Sequence, residues 1–81
     1  MENIIQKEKY LVIAFDTTAM AYYMEKLRKD NDLDGRLIPL PKEIDAGCGA
    51  AFATKKMDIE YWKNFMDEHN VKYNVIRELI I

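Results

Sequence analysis

Several residue types that build common functional sites are nearly missing from this sequence. Its 81 residues include one cysteine, Cys48, one histidine, His69, and only three glycines. A single cysteine excludes an internal disulfide, and one cysteine with one histidine cannot supply the ligands of a closed zinc site. We therefore expect no disulfide framework, no metal centre and no resident cofactor.

Long hydrophobic runs and an excess of positive charge are also missing. No apolar run approaches the roughly 20 residues that a membrane-spanning helix needs, and residues 1–8 are too charged for a signal peptide. The net charge of −2 creates no field that would attract nucleic acid or an anionic membrane. A free thiol persists in a reducing compartment. These features predict a cytoplasmic protein without nucleic-acid or membrane partners.

The length and composition predict one small folded domain. Hydrophobic residues make up 49% of the chain, which is typical of a folded protein rather than a disordered one. A chain of this length buries only about 60 to 65% of its unfolded surface, so it has room for one core. We expect a single domain over residues 1–81, with residues 1–8 as a disordered N-terminal extension.

Four segments have the composition of strands. Residues 10–15 form a continuous apolar run, as expected for a central strand, and residues 49–54 form a shorter run of small apolar residues. Residues 36–41 are extended but contain Pro39, which cannot donate a ladder hydrogen bond and so places this strand at a sheet edge. Residues 72–81 supply the last strand.

Two segments between these strands have helical periodicity. The first follows the N-cap residue types of positions 16–18 and has apolar residues at i, i+3, i+4 and i+7. The second begins after Asp58, a predicted N-cap, and has the same spacing from Trp62 to His69. Asn70 is a residue type that ends helices in the left-handed conformation.

The predicted order of elements is β-α-β-β-α-β. It is typical of the ferredoxin-like fold, an α+β architecture in which a four-stranded antiparallel sheet in the order 4-1-3-2 carries both helices on one face. In that order the first and third strands are central, which agrees with the apolar runs and with Pro39 at an edge.

The candidate functional residue is Cys48, the only nucleophilic thiol in the chain. Gly47 and Gly49 flank it and carry no side chain that would cover the sulfur. The topology places this segment beside Thr17 and Thr18, where the first amides of a helix are unpaired. Those amides and the ammonium of Lys42 favour a thiolate, whereas the carboxylates of Asp16 and Asp45 act in the opposite direction. We predict an exposed, reactive Cys48 supported by the two glycines, the two threonines and Lys42.

A packing role for Cys48 is the alternative. Free cysteine often behaves as a small buried hydrophobe, and the two glycines could serve only a tight turn.

The segment around Cys48 also resembles a known family. The sequence RLIPLPKEIDAGCG at residues 36–49, after a strand ending in FDTT and a helix carrying Ala21, Glu25 and Lys26, is similar to the selenium/sulfur carrier-like family of small bacterial domains. The similarity extends over residues 10–75, and its specific part is residues 41–49. The polar connection over residues 29–34 is longer than the short glycine turn of the family.

The resemblance implies a sulfur or selenium carrier rather than a complete enzyme. Cys48 would hold sulfur or selenium covalently, as a persulfide or selenosulfide, and pass it from a donor protein to an acceptor protein. Two other functions remain open. One is a protein-interaction or small-ligand-binding module, with a structural Cys48 and a homodimer formed by edge-strand pairing. The other is a thiol redox sensor.

Overall fold

The secondary structure follows the predicted order of strands and helices. The structure, a computed structural model, describes residues 7–81. Its elements are β1 (Lys9–Ala14), α1 (Thr18–Asp30), β2 (Arg36–Pro39), β3 (Ala50–Thr54), α2 (Ile59–Glu68) and β4 (Val75–Ile80). Of the N-terminal extension predicted over residues 1–8, residues 1–6 lie outside the described part of the chain. Glu8 exchanges two backbone hydrogen bonds with Ile81, at 3.1 and 3.0 Å.

The four strands form one antiparallel sheet in the order β2-β3-β1-β4. Strands β1 and β3 are central, and β2, which contains Pro39, lies at an edge. In the register, Val12 of β1 lies opposite Ala53 of β3 on one side and Arg77 of β4 on the other. The sheet order and the two helices confirm the predicted ferredoxin-like α+β fold.

Capping side chains fix the start of each helix. Thr17 Oγ1 accepts the amide of Met20 at 3.3 Å at the start of α1, and Asp58 Oδ1 accepts the amide of Tyr61 at 3.1 Å at the start of α2. These bonds satisfy amides that have no partner inside the helix. After α2, Asn70 has a φ of 59°, the left-handed conformation that its residue type predicts.

Both helices pack against the same face of the sheet. Alternate residues of β1 point toward the helices because side chains along a strand alternate between faces. Trp62 is fully buried there, and its indole Nε1 donates to the carbonyl of Lys56 at 2.9 Å. The buried residues of this helix-side core include Leu11, Ile13, Phe15, Met24, Phe52, Trp62 and Met66.

The opposite face of the sheet has a smaller core that contains no helix residue among those described. Val12, Ala14 and Ala51 contribute to it from the central strands. Ile44 covers them from the connection between β2 and β3, which we call the 40–49 loop, and is only 5% exposed. Arg77 Nη1 donates to the carbonyl of Glu43 at 2.9 Å and fixes the same loop. Thus the loop closes one end of the helix-free face.

Neither α1 nor α2, the two helices of residues 7–81, has the length and apolar composition that a membrane-spanning helix requires.

Candidate functional site

Cys48 lies where the 40–49 loop returns to the sheet. Its amide donates to the carbonyl of Phe15 at 3.2 Å, immediately after β1, and the amide of Leu40 donates to the carbonyl of Gly49 at 3.0 Å. These two bonds hold the cysteine segment between the end of β1 and the end of β2. The predicted proximity of Cys48 to the start of α1 is confirmed.

Two polar groups contact the sulfur of Cys48. The thiol lies 3.7 Å from Thr18 Oγ1, to which it donates, and Sγ accepts the amide of Ala50 at 3.4 Å. Thr18 is the first residue of α1, so the sulfur lies beside the positive end of the helix dipole. An amide and a helix N-terminus both interact favourably with negative charge on sulfur.

The prediction of an exposed Cys48 is wrong. The residue is only 2% exposed and belongs to the helix-side core. The glycines beside it are exposed, but the hydrogen bond from the Cys48 amide to Phe15 directs the side chain inward. Small neighbours along the chain therefore did not leave the thiol open, because residues distant in sequence cover it.

The two glycines differ in what surrounds them. A Cβ atom at Gly47 would lie 2.7 Å from the carbonyl oxygen of Asp16, so close approach to the end of β1 excludes a side chain there. A Cβ atom at Gly49 would have no atom within 4 Å. The fold requires a glycine at position 47, whereas position 49 faces open space.

The other residues predicted to support the site differ in whether they contact the sulfur of Cys48. Thr17 caps α1, and its side-chain oxygen accepts a hydrogen bond from the amide of Met20 rather than contacting the sulfur. Lys42 is exposed, and no hydrogen bond or ion pair joins it to Cys48 within the described residues. The carboxylate of Asp16 is held by the side-chain amide of Asn74 at 2.5 Å. Thr18 is thus the one predicted supporting side chain that contacts the sulfur.

Sequence reasoning missed two residues that position Cys48. Phe15 supplies a backbone carbonyl, for which no side-chain signal exists. Ile44 fixes the 40–49 loop from the opposite face, and as the one large apolar residue in the polar stretch 42–47 it could have been identified as an anchor. In the part of the chain that the structure describes, no three His, Cys, Asp or Glu residues form a group that could hold a metal ion.

Comparison with known proteins gives one finding. A family model described as "Putative Se/S carrier protein-like" matches residues 9–78, which is most of the chain. No curated protein and no solved structure shows significant similarity to the sequence.

Proposed function

Because the chain belongs to the Se/S carrier protein-like family, we propose that it carries sulfur or selenium on Cys48 between a donor and an acceptor protein. The observation that supports this most directly is the position of the single thiol. Cys48 Sγ lies beside the N-terminus of α1 and accepts the amide of Ala50. The same groups would stabilise the thiolate that each transfer step uses or releases.

The transfer balances without an oxidant or a second cysteine in the chain. The Cys48 thiolate attacks the outer sulfur of a donor protein persulfide, a bond forms between Sγ and that sulfur, and the sulfur–sulfur bond of the donor breaks. The donor leaves as a thiolate and takes up the proton that Cys48 lost. An acceptor thiolate then attacks the outer sulfur, and Cys48 is released as a thiolate. Selenium follows the same route from a donor that carries it in place of the outer sulfur.

Burial of Cys48 adds one condition to this proposal. A sulfur that is 2% exposed reacts with a partner only after the residues around it move apart. Gly49 is exposed and its surroundings are open, so an approaching partner meets no side chain at that position. We expect the segment near Gly49 to be the side from which donor and acceptor reach the thiol.

The test is sulfur loading of the folded protein. Native protein is incubated with glutathione persulfide, and its intact mass is measured beside that of the Cys48→Ser variant. We expect a gain of one sulfur atom on the native chain and none on the variant. If urea-unfolded protein gains sulfur while the native protein does not, Cys48 is not a carrier residue.

The burial of Cys48 favours a second candidate function, an interaction module in which the cysteine only packs. The thiol belongs to the helix-side core, as a structural cysteine would. Edge strand β4 ends in Ile80, which is 60% exposed, and such an edge can pair with a strand of a partner or of a second copy. Retention of partner binding and cellular function by Cys48→Ser would favour this candidate, and their loss would favour the carrier.

Sedimentation at several protein concentrations tests the homodimer that the edge strand suggests. If β4 pairs with β4 of a second copy, Ile80→Lys should give a monomer, because a charge on an edge strand opposes pairing. A wild-type protein that is monomeric at all concentrations would exclude this homodimer.

A further inference from the structure

A groove on the helix-free face of the sheet is separate from Cys48. It has a volume of about 410 Å³, and its lining includes Tyr10, Ile38, Ala53 and Ile81, with Arg36 and Glu43. We call it the sheet-face groove. Ala53 is almost fully buried and forms part of the floor. The 40–49 loop contributes Glu43 to one side of this groove and covers the other end of the face through Ile44.

One small residue, Ala53 of the central strand β3, lies in the groove lining between larger side chains. Arg36 lies opposite Ala53, and Ala53 lies opposite Val12. Directly opposite residues of an antiparallel sheet point to the same face. The alanine thus leaves a depression between Arg36 of β2 and the larger side chains of β1, and the size of that depression is in the range of small-molecule sites.

Two opposite charges in this lining have no ion pair. Within residues 7–81, neither the guanidinium of Arg36 nor the carboxylate of Glu43 lies within ion-pair distance of an opposite charge, and they do not pair with each other. The contact of Glu43 with Arg77 is made by its backbone carbonyl, which accepts from the Arg77 guanidinium. By contrast, Lys55 in the adjoining cavity pairs with Glu8.

We infer that the sheet-face groove binds an apolar amino acid as a zwitterion. Arg36 would hold the carboxylate, Glu43 the ammonium group, and the apolar side chain would lie against Tyr10, Ala53 and Ile81. A ligand with both charges matches a lining whose Arg36 and Glu43 form no ion pair with any residue of 7–81. A simple anion such as phosphate would be repelled by Glu43, and an uncharged apolar molecule would gain no charge-assisted hydrogen bond from either residue.

The test uses L-phenylalanine as the probe and amide NMR spectra of the full chain as the readout. We expect saturable shifts at Tyr10, Ala53 and Ile81. Two analogues each lack one charge: phenylalaninamide has no carboxylate, and N-acetylphenylalanine has no ammonium group. Each should bind about tenfold more weakly than phenylalanine, because one charge-assisted contact is lost.

Two exposed-residue variants assign each charge to its partner. In Arg36→Gln, phenylalanine and phenylalaninamide should bind equally, because the carboxylate has lost its partner. In Glu43→Gln, phenylalanine and N-acetylphenylalanine should bind equally for the corresponding reason. Cys48→Ser should bind phenylalanine as the wild type does, since the groove lies on the other side of the sheet from the thiol.

Three results would overturn the inference. They are the absence of saturable shifts with phenylalanine, shifts confined to the helix side of the sheet, and equal binding of all three compounds to the wild type. The inference would also be overturned if Arg36→Gln and Glu43→Gln each lowered the binding affinity of all three compounds to the same extent. None of these results bears on sulfur loading of Cys48, so this inference and the carrier function fail independently.

Discussion

The glycines on either side of Cys48 are identical in sequence and different in structure. Gly47 has the carbonyl of Asp16 where a side chain would begin, whereas Gly49 has nothing near it. The carbonyl belongs to the backbone at the end of β1, so it cannot move aside as a flexible side chain could. A glycine at position 47 is therefore a condition of the fold. At position 49, steric contact within the chain does not require a glycine.

This difference predicts opposite effects of the same substitution. Gly47→Ala should lower the free energy of unfolding by about 1 to 3 kcal/mol, the usual effect of forcing an atom into a filled space. Gly49→Ala should leave it unchanged or raise it by about 0.4 to 1 kcal/mol, because alanine restricts the unfolded chain. Urea unfolding of both variants measures these values. Equal losses of stability at the two positions would contradict the steric assignment.

At the scale of elements, the start of each helix depends on one capping side chain. We expect Thr17→Ala and Asp58→Ala each to lower the free energy of unfolding by about 0.5 to 2 kcal/mol, since an amide of the first turn loses its partner. Urea unfolding again provides the measurement. Thr17→Ser and Asp58→Asn are the matched controls because they retain an accepting oxygen. If these controls lose as much stability as the alanine variants, the caps are not the cause.

Helix α1 also carries an exposed ion pair, between Lys26 and Asp30, that shifts the pKa of the lysine. The ammonium of Lys26 donates to the carboxylate of Asp30 at 2.8 Å, and this hydrogen bond, together with the charge attraction, raises the pKa of Lys26 above 10.5. A raised pKa means that the charged lysine is favoured by folding. The resulting stabilisation is fully present below pH 10.5 and is lost as the pH rises through the folded-state pKa.

Replacing the acidic partner should remove this pKa shift. In Asp30→Asn, an NMR titration of the Lys26 side chain should give a pKa closer to 10.5 than in the wild type, because the negative charge that favours the ammonium is gone. Asp67→Asn removes an acidic charge from α2 and is the control that should leave the Lys26 pKa as it was. An unchanged pKa in Asp30→Asn would exclude the pair as the cause.

Local patterns predicted the elements better than they predicted the site. The signals for the elements are local in sequence: the apolar run of β1, the apolar stripes of the two helices, and Pro39 in β2. The order of the elements and the edge position of β2 could therefore be derived from them. The burial of Cys48 depends on a backbone bond to Phe15, and side-chain patterns contain no information about it. Ile44 has a sequence signal, as the one large apolar residue in a polar stretch, but it was missed because that signal is not periodic.

At the scale of the whole molecule, the 40–49 loop connects the two faces of the sheet. Ile44 packs into the core of the helix-free face, and four residues later Cys48 packs into the helix-side core. The loop therefore passes around the end of the sheet and is fixed on both sides. Local opening of this loop would expose Cys48, and such opening is easier when the packing of Ile44 on the opposite face is weakened.

This connection predicts that a substitution on one face changes the reactivity of a thiol on the other. Ile44→Val should lower the free energy of unfolding by about 0.5 to 1.5 kcal/mol. If local opening of the loop breaks the same contacts, its population rises about two- to tenfold, and alkylation of native Cys48 by iodoacetamide accelerates by that factor. The rate is followed by intact mass in the absence of denaturant.

The matched control is Ile13→Val, which removes the same methylene from a fully buried residue of β1. This variant should lose a similar amount of stability without faster alkylation, because Ile13 is in the sheet and not in the loop. Equal acceleration in both variants would mean that Cys48 is reached only by unfolding of the whole chain. In that case the thiol would be inaccessible to any partner of the folded protein, and sulfur transfer through local opening of the loop would be excluded.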